Sequence, residues 1–323
     1  MSIRWLFAVP FVMLAAGYPS PQLPAQDSQP KPTDTIKALN DKWDATDKNP
    51  KWGAALPLAL LSRSAYHELK VVEEDAARLG LRTVYPVDTS PPSSMVAYVC
   101  QGDGVMVVVF RGTDDRADWA ANLDFITERA KHGGVHRGFR KAFDSLKSDL
   151  FRRIHDAKPK RLWITGHSLG GALSAVCAMD LLEEDDIAIH GVMTFGQPMI
   201  CHRGLALYLD EKLEGRFVHF VNKGDRVPQL PPLPRYRHFG RLVLLKPDGV
   251  EQRTMRRSSD EEPEEDVRPM SKSDYDKLRG EVVAEQKTFQ ANNMPGQRYG
   301  GQLPALRNHS MDLYVERVEK FMH

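Results

Sequence analysis

A serine between two glycines is the feature of this 323-residue sequence with the clearest chemical meaning. It is Ser168 in Gly166-His167-Ser168-Leu169-Gly170, preceded by the β-rich letters RLWIT and followed by LGGALSAVCAMDLL, which has a helical pattern. A sharp strand-to-helix turn exposes the serine hydroxyl, and glycines two residues away on either side avoid steric clashes. The N–H of Leu169, at the helix start, would face a developing oxyanion. The pattern predicts a nucleophilic serine; a glycine-rich turn without chemistry is the alternative.

A serine nucleophile needs a base, and the base needs an acid that orients it. Where the serine lies on such a turn, the acid and then the histidine follow it along the chain. Asp225 follows a strand pattern that ends at Asn222, and loops beyond parallel strands are where such sites form. His309 lies between a loop rich in Gly, Pro and Asn and a C-terminal helix pattern, whereas His238 lies where the pattern predicts the start of a strand. Functional residues concentrate on loops, so Asp225 is the predicted acid, and His309 is favoured over the alternative His238 as the base.

Strand and helix patterns alternate along the chain around these residues. The run Val105–Phe110 is almost entirely apolar, as in a strand covered on both faces, and Gln-Gly-Asp-Gly joins it to the strand pattern Met95–Cys100. Further strands are predicted at Arg161–Thr165, Gly191–Phe195 and Arg216–Asn222, and helices at Gly53–Leu69, Gly138–His155, Leu169–Glu184 and Gly204–Glu214. This alternation predicts an α/β fold with a mostly parallel central sheet and helices on both faces.

The first residues have the pattern of a secretory signal. Arg4 precedes an apolar run from Trp5 to Ala16, which is shorter than the roughly 20 residues that span a bilayer, and small residues follow. We therefore expect a signal peptide over residues 1–17, with cleavage as late as residue 25 as the alternative, and a secreted or exported protein. Prolines indicate a linker over residues 18–35, which is followed by the α/β domain over residues 36–323.

Charge and cysteine content narrow the class of partner. Lys and Arg number 44 against 43 Asp and Glu, which argues against nucleic-acid binding and favours a neutral or amphiphilic small molecule. The three cysteines form no disulfide framework, and neither CxxC nor HExxH occurs, so no metal or other cofactor is expected. Cys100 and Cys177 lie in apolar patterns and are predicted to be buried thiols. Residues 252–268 are highly charged and are predicted to form a surface loop inserted in the domain.

Six segments together give the sequence a family resemblance. They are VVVFRGT (107–113), VHRGF (135–139), ITGHSLGGALSAV (164–176), TFGQPM (194–199), VNKGDRVPQLPP (221–232) and NHSMDLY (308–314). In this order they resemble the class 3 lipases, which are α/β hydrolases. The resemblance implies a triad of Ser168, Asp225 and His309, with Thr113 beside Leu169 in the oxyanion hole. Thr113 is also a candidate N-cap for a helix that starts near residue 114.

The resemblance also implies a lid over residues 114–124. Asp118 and Trp119 match the acidic or amide residue and the tryptophan of the family pattern, but the segment is more charged than a lid that opens on lipid. The expected function is serine carboxylic-ester hydrolysis through an acyl-enzyme on Ser168, on lipid esters such as triacylglycerols or phospholipids, with transient contact to a lipid surface. An esterase acting on aromatic or polysaccharide esters, or a binding protein without catalysis on the same scaffold, is the alternative.

Overall fold

An eight-stranded sheet forms the centre of the computed structural model, which describes residues 31–47, 50, 52–89, 95–113, 125–184, 187–254, 265–292 and 304–322. Its strands, in chain order, are β1 Thr83–Asp88, β2 Val96–Gly102, β3 Val105–Phe110, β6 Arg161–His167, β7 Ile189–Phe195, β9 Phe217–Asn222, β11 Arg241–Lys246 and β12 Gly249–Thr254. They lie side by side in that order. The five strands from β3 to β11 run parallel, and the hairpin partners at both edges are antiparallel. The predicted parallel centre is confirmed.

Helices cover both faces of this sheet, as predicted. Their bounds are α1 Pro32–Asn40, α2 Ala55–Ser64, α3 Leu69–Arg78, α4 Arg137–Ala157, α5 Leu169–Leu181, α6 Arg203–Lys212, α7 Lys272–Asn292 and α8 Met311–Met322. Successive side chains of a strand point to opposite faces. The even-numbered residues of β3 accordingly lie in a hydrophobic cluster with α4 and α5, whereas its odd-numbered residues pack with α1, α2, α3 and α8.

A second, smaller sheet lies outside the sequence-based predictions. It is antiparallel and consists of β4 Thr127–Ala130, β5 Gly133–His136, β8 Cys201–His202 and β10 Tyr236–Arg237. Val135 of β5 and Cys201 of β8 are buried in the same cluster as α4 and α5. Strands of two to four residues carry too little period-two pattern to be recognised in a sequence.

The helix predicted from Gly53 to about Leu69 is present but shorter, and a second helix follows it. α2 ends at Ser64 and α3 begins at Leu69. Tyr66, in the break, leaves the helical path and its hydroxyl lies 2.8 Å from Nδ1 of His167, 101 residues later. α1 begins at Pro32, so the predicted linker boundary at residue 35 lies inside a helix; proline is well tolerated in a first turn.

The charged segment 252–268 is not a continuous loop. Residues 252–254 belong to β12, which pairs with β11, and Val267 is buried against Leu242 and Leu244 of β11. The α7 helix, which was not predicted, follows shortly afterwards. Tyr275, Leu278 and Val282 are its buried apolar residues, at the spacing of a helix face.

The cysteines are buried, as predicted for Cys100 and Cys177. All three thiols are free, and burial raises the pKa of Cys100 to about 12. Within the described ranges, no helix has the length and apolar character needed to cross a bilayer. The predicted signal peptide, residues 18–30 of the linker, the lid residues 114–124 and residues 255–264 of the charged segment lie outside the described residues.

Candidate active site

Ser168 lies on the turn between β6 and α5, at the centre of the sheet. Its backbone angles are φ 59° and ψ −126°, a combination that L residues seldom adopt and that projects the side chain out of the turn. Neither Gly166 nor Gly170 leaves room for a side chain. A Cβ on Gly166 would lie 2.5 Å from the Gly170 carbonyl, and one on Gly170 would lie 2.1 Å from the Phe110 carbonyl oxygen of β3. The predicted strand–turn–helix arrangement is present.

The structure brings the three predicted triad residues together. The Oγ of Ser168 lies 2.8 Å from Nε2 of His309, and Nδ1 of His309 lies 2.8 Å from Oδ2 of Asp225. All three side chains are buried. A histidine held in this way can take the serine proton on Nε2 while the carboxylate fixes its tautomer and stabilises the imidazolium. The other candidate base, His238, donates from Nε2 to the Pro228 carbonyl at 2.8 Å.

Asp225 is held by two donors besides His309. The N–H of Val227 donates to Oδ1 at 2.9 Å, and the Tyr314 hydroxyl donates to Oδ2 at 2.6 Å. Tyr314 accepts in turn from the N–H of Asn222, at the end of β9. Burial, followed by the nearby Asp225 charge, raises the pKa of Tyr314 well above its usual value of 10. The tyrosine is therefore protonated at neutral pH and can donate to the carboxylate.

His309 is also held through its backbone. The Nε2 of His167 donates to the His309 carbonyl at 3.0 Å, and the ring centroids of the two histidines are 4.5 Å apart. This direction of donation leaves Nδ1 of His167 as the acceptor for the Tyr66 hydroxyl, 2.8 Å away. His167 thus links the turn that carries Ser168, called the elbow from here on, to the loop that carries His309 and to the break between α2 and α3.

The predicted oxyanion donors come from two neighbouring segments. Leu169 is the first residue of α5, where backbone N–H groups have no partner within the helix. Thr113 follows Gly112, and a Cβ on that glycine would lie 2.8 Å from the His167 carbonyl and 2.0 Å from the Tyr66 hydroxyl. The end of β3 therefore passes directly against the elbow. The predicted lid residues Asp118 and Trp119 lie outside the described residues.

Sequence reasoning missed the residues that support the triad. Tyr314 lies five residues after His309 in the quoted segment NHSMDLY, but a tyrosine in a helix has no distinctive pattern. Tyr66 and Asn222 act across 101 and 92 residues, respectively, and no local pattern indicates such contacts. Among the described residues, no group of three or more His, Cys, Asp or Glu side chains is arranged to hold a metal ion.

The fold and the site define an α/β hydrolase with a serine, histidine and aspartate arrangement. Residues 107–234 match the family model described as lipase (class 3). The chain is 32% identical over 131 residues to the secreted mono- and diacylglycerol lipase LIP1 of Malassezia globosa, covering 39% of this chain and 43% of that protein. It is 30% identical over 148 residues to a lipase of Rhizomucor miehei, covering 42% and 40%.

A solved structure of the Rhizomucor miehei triacylglyceride lipase is also similar, with a TM-score of 0.52 and 25% identity, over 59% of this chain and 78% of that one. The matches to the two curated relatives thus span about two fifths of their length. Together, these similarities confirm the resemblance to class 3 lipases seen in the six sequence segments, with the family model matching over residues 107–234.

Proposed function

We propose that this protein is a serine carboxylic-ester hydrolase that acts on lipid esters, with Ser168 as nucleophile, His309 as general base and Asp225 as the orienting acid. One observation carries the proposal: the unbroken series of 2.8 Å contacts from Ser168 Oγ to His309 Nε2 and from His309 Nδ1 to Asp225 Oδ2. An alcohol is a weak nucleophile at neutral pH unless a base is placed in this way.

In the proposed reaction, Oγ attacks the ester carbonyl while His309 accepts its proton. The oxyanion of the tetrahedral intermediate is stabilised by backbone N–H groups of Leu169 and Thr113, with the dipole of α5 adding to the effect. His309 then protonates the departing alcohol, leaving the acyl group on Ser168. Water activated by the same histidine releases the carboxylic acid and restores the free serine.

Lipid esters are the proposed substrates because the similar proteins are a mono- and diacylglycerol lipase and a triacylglyceride lipase. Aromatic or polysaccharide esters are the alternative. The charges at Asp114, Asp115 and Arg116, just before Trp119, would oppose transfer of this segment to a lipid surface. We therefore propose activity on dissolved short-to-medium esters with little activation at the interface.

Export of the protein is also part of the proposal. The relative from Malassezia globosa is named as secreted, and the first 17 residues of this chain have the pattern of a signal peptide. N-terminal sequencing of protein recovered from the culture medium or periplasm tests this. A mature chain that starts near residue 18 or residue 26 supports export, whereas full-length chain confined to the cytoplasm contradicts it.

The function is tested with a panel of p-nitrophenyl esters from short to long chain, supplemented with emulsified triacylglycerol and phospholipid vesicles. We expect hydrolysis of several acyl esters by the wild-type protein. Ser168→Ala should reduce the rate by about four to six orders of magnitude without loss of fold, as removal of a triad serine does. Retention of more than about a tenth of the wild-type rate by pure Ser168→Ala protein would exclude this serine as the nucleophile, since triad removals cost far more. Inactivity of the wild type on the whole panel would favour a binding protein.

A further inference from the structure

Residues 265–292, which include α7, lie between β12 and His309 in the chain and contact the loops that carry both Asp225 and His309. We call this stretch the anchoring segment, residues 224–230 the acid loop and residues 304–309 the histidine loop. Asp225 and His309 are 84 residues apart in the chain. The loops contact each other directly, since Nδ2 of Asn308 donates to the Gly224 carbonyl at 3.3 Å, and packing against the anchoring segment can further fix their relative position.

Polar contacts attach the anchoring segment to the residues that flank Asp225. Arg226, the next residue, forms an ion pair of 3.0 Å with Glu281 and donates from Nη2 to the Asp274 carbonyl at 3.1 Å. On the other side, the N–H of Gly224 donates to Oδ1 of Asp266 at 2.9 Å. The catalytic carboxylate is thus bracketed by two attachments, one on each neighbouring residue.

Further attachments follow along the acid loop and reach the histidine loop. The Gln229 carbonyl accepts from the N–H of Met270 at 3.1 Å, and its side chain donates to the Glu265 carbonyl at 3.1 Å. The N–H of Ala305, four residues before His309, donates to Oε1 of Glu285 at 3.2 Å. One helix therefore contacts both loops, with Glu281 and Glu285 one turn apart.

An apolar cluster fills the space between the same three pieces of chain. Its buried members are Val227 and Leu230 from the acid loop, Leu306 from the histidine loop, and Met270, Tyr275, Leu278 and Val282 from the anchoring segment. Leu278 is almost fully buried. Because protein interiors are closely packed, a shift of α7 moves both loops.

We infer that the anchoring segment positions Asp225 against His309, and that Arg226 and Glu281 are positioning residues for the reaction proposed above, on which this inference rests. The segment acts on turnover because a small displacement of one triad member lowers the rate strongly without unfolding the protein. An element that only stabilised the fold would change the amount of folded enzyme and leave the turnover of each folded molecule the same.

The test compares Glu281→Gln with Asp276→Asn, a matched neutralisation on the same helix. Asp276 pairs with Lys272 on the surface and belongs to neither loop contact. For each variant, the active sites are counted with a fluorophosphonate probe, and kcat per labelled site and KM are measured with p-nitrophenyl butyrate. Thermal unfolding is recorded in parallel. Arg226→Gln and the double variant Arg226→Gln/Glu281→Gln complete a thermodynamic cycle.

We expect Glu281→Gln to lower kcat per labelled site about fivefold to tenfold with KM within twofold of wild type, and Asp276→Asn to leave both unchanged. The double variant should be no worse than Arg226→Gln alone, because Glu281 acts through its ion pair with Arg226. Leu278→Ala, provided that it folds, should lower kcat per labelled site at least as much.

Unchanged kcat per labelled site in Glu281→Gln, with or without a lower unfolding temperature, would overturn the positioning role. Equal losses in Asp276→Asn would do so as well, since the effect would then be general to the helix charge. A wild type that neither labels nor hydrolyses any ester would instead overturn the proposed function, and the positioning role with it. The two failures are therefore distinguished by the wild-type measurement.

Discussion

The nucleophile and the pair of residues that activate it are built by different means. The elbow around Ser168 is defined within five consecutive residues, where two glycines allow the strand, turn and helix to touch. Asp225 and His309 come from loops that are 84 residues apart, held by Tyr314, His167 and the anchoring segment. Local backbone geometry thus sets the serine, whereas tertiary contacts set its partners. Substitutions at the elbow should therefore cause large losses of activity, whereas substitutions that weaken the contacts around the two loops should cause smaller, graded losses.

The largest effect is expected when a triad member itself is lost. His309→Ala should reduce kcat/KM by about four to six orders of magnitude, close to the loss for Ser168→Ala, because triad members act as one unit. The control is His238→Gln, which keeps a donor for the Pro228 carbonyl and should cost less than about tenfold, roughly one hydrogen bond. The measurement is kcat/KM of each variant on a p-nitrophenyl ester. An inactive His238 variant together with an active His309 variant would show that the base is misassigned.

Crowding of the elbow comes next. In Gly170→Ala, the new Cβ would lie 2.1 Å from the Phe110 carbonyl oxygen, so either β3 or the turn must shift. We expect a loss of about 3 kcal/mol in the free energy of unfolding, at the upper end for overpacking, and a fall in kcat/KM of at least about a hundredfold from the displaced serine. Gly280→Ala is the matched control, because nothing lies within 4 Å of its Cβ position. Normal activity of Gly170→Ala would contradict the close contact at the elbow.

A smaller loss of turnover is expected when Asp225 loses the hydrogen bond from the Tyr314 hydroxyl. Tyr314→Phe removes the hydroxyl that donates to Asp225 and accepts from the Asn222 N–H, while keeping the ring. We expect kcat per labelled site to fall about tenfold, or roughly 1.4 kcal/mol, close to the lower end of the range for a hydrogen bond to a charged group. Tyr236→Phe, at another fully buried tyrosine, is the control and should leave kcat close to wild type. Wild-type turnover in Tyr314→Phe would mean that Val227 and His309 suffice to hold the carboxylate.

The last expected effect concerns stability in mild acid rather than turnover. His219 and His238 are stacked with centroids 4.5 Å apart beside the acid loop; burial lowers the pKa of His238 to about 4 and that of His219 well below 6.5. Below pH 6.5 the unfolded state then binds more protons than the folded state, so stability is full above pH 6.5 and falls as the pH drops towards 4. His238 alone contributes about 3 kcal/mol by linkage. Urea unfolding between pH 7 and pH 4 tests this, and His219→Phe should flatten the slope. Constant stability in this range would contradict it.

The same contrast explains what the sequence predicts and what it does not. The elbow, the hairpin of β2 and β3 and the parallel strands follow from patterns within a few residues. The break at Tyr66 does not, and its hydrogen bond to His167 joins residues that are 101 positions apart in the chain. The helical spacing of Tyr275, Leu278 and Val282 was available as a signal for α7, but its contact with the acid loop exists only in three dimensions. Residue types and order thus predict the triad, and its supports require the fold.

The activation of Ser168 by His309 is tested most directly by covalent labelling. Wild-type protein is treated with a fluorophosphonate probe and digested, and the adduct is located by mass spectrometry. We predict one adduct, on Ser168, that forms at least about a hundred times faster in the wild type than in His309→Ala, because general-base help is worth two to four orders of magnitude. An adduct elsewhere, no adduct at all, or equal rates in the two proteins would contradict the proposed nucleophile and its activation.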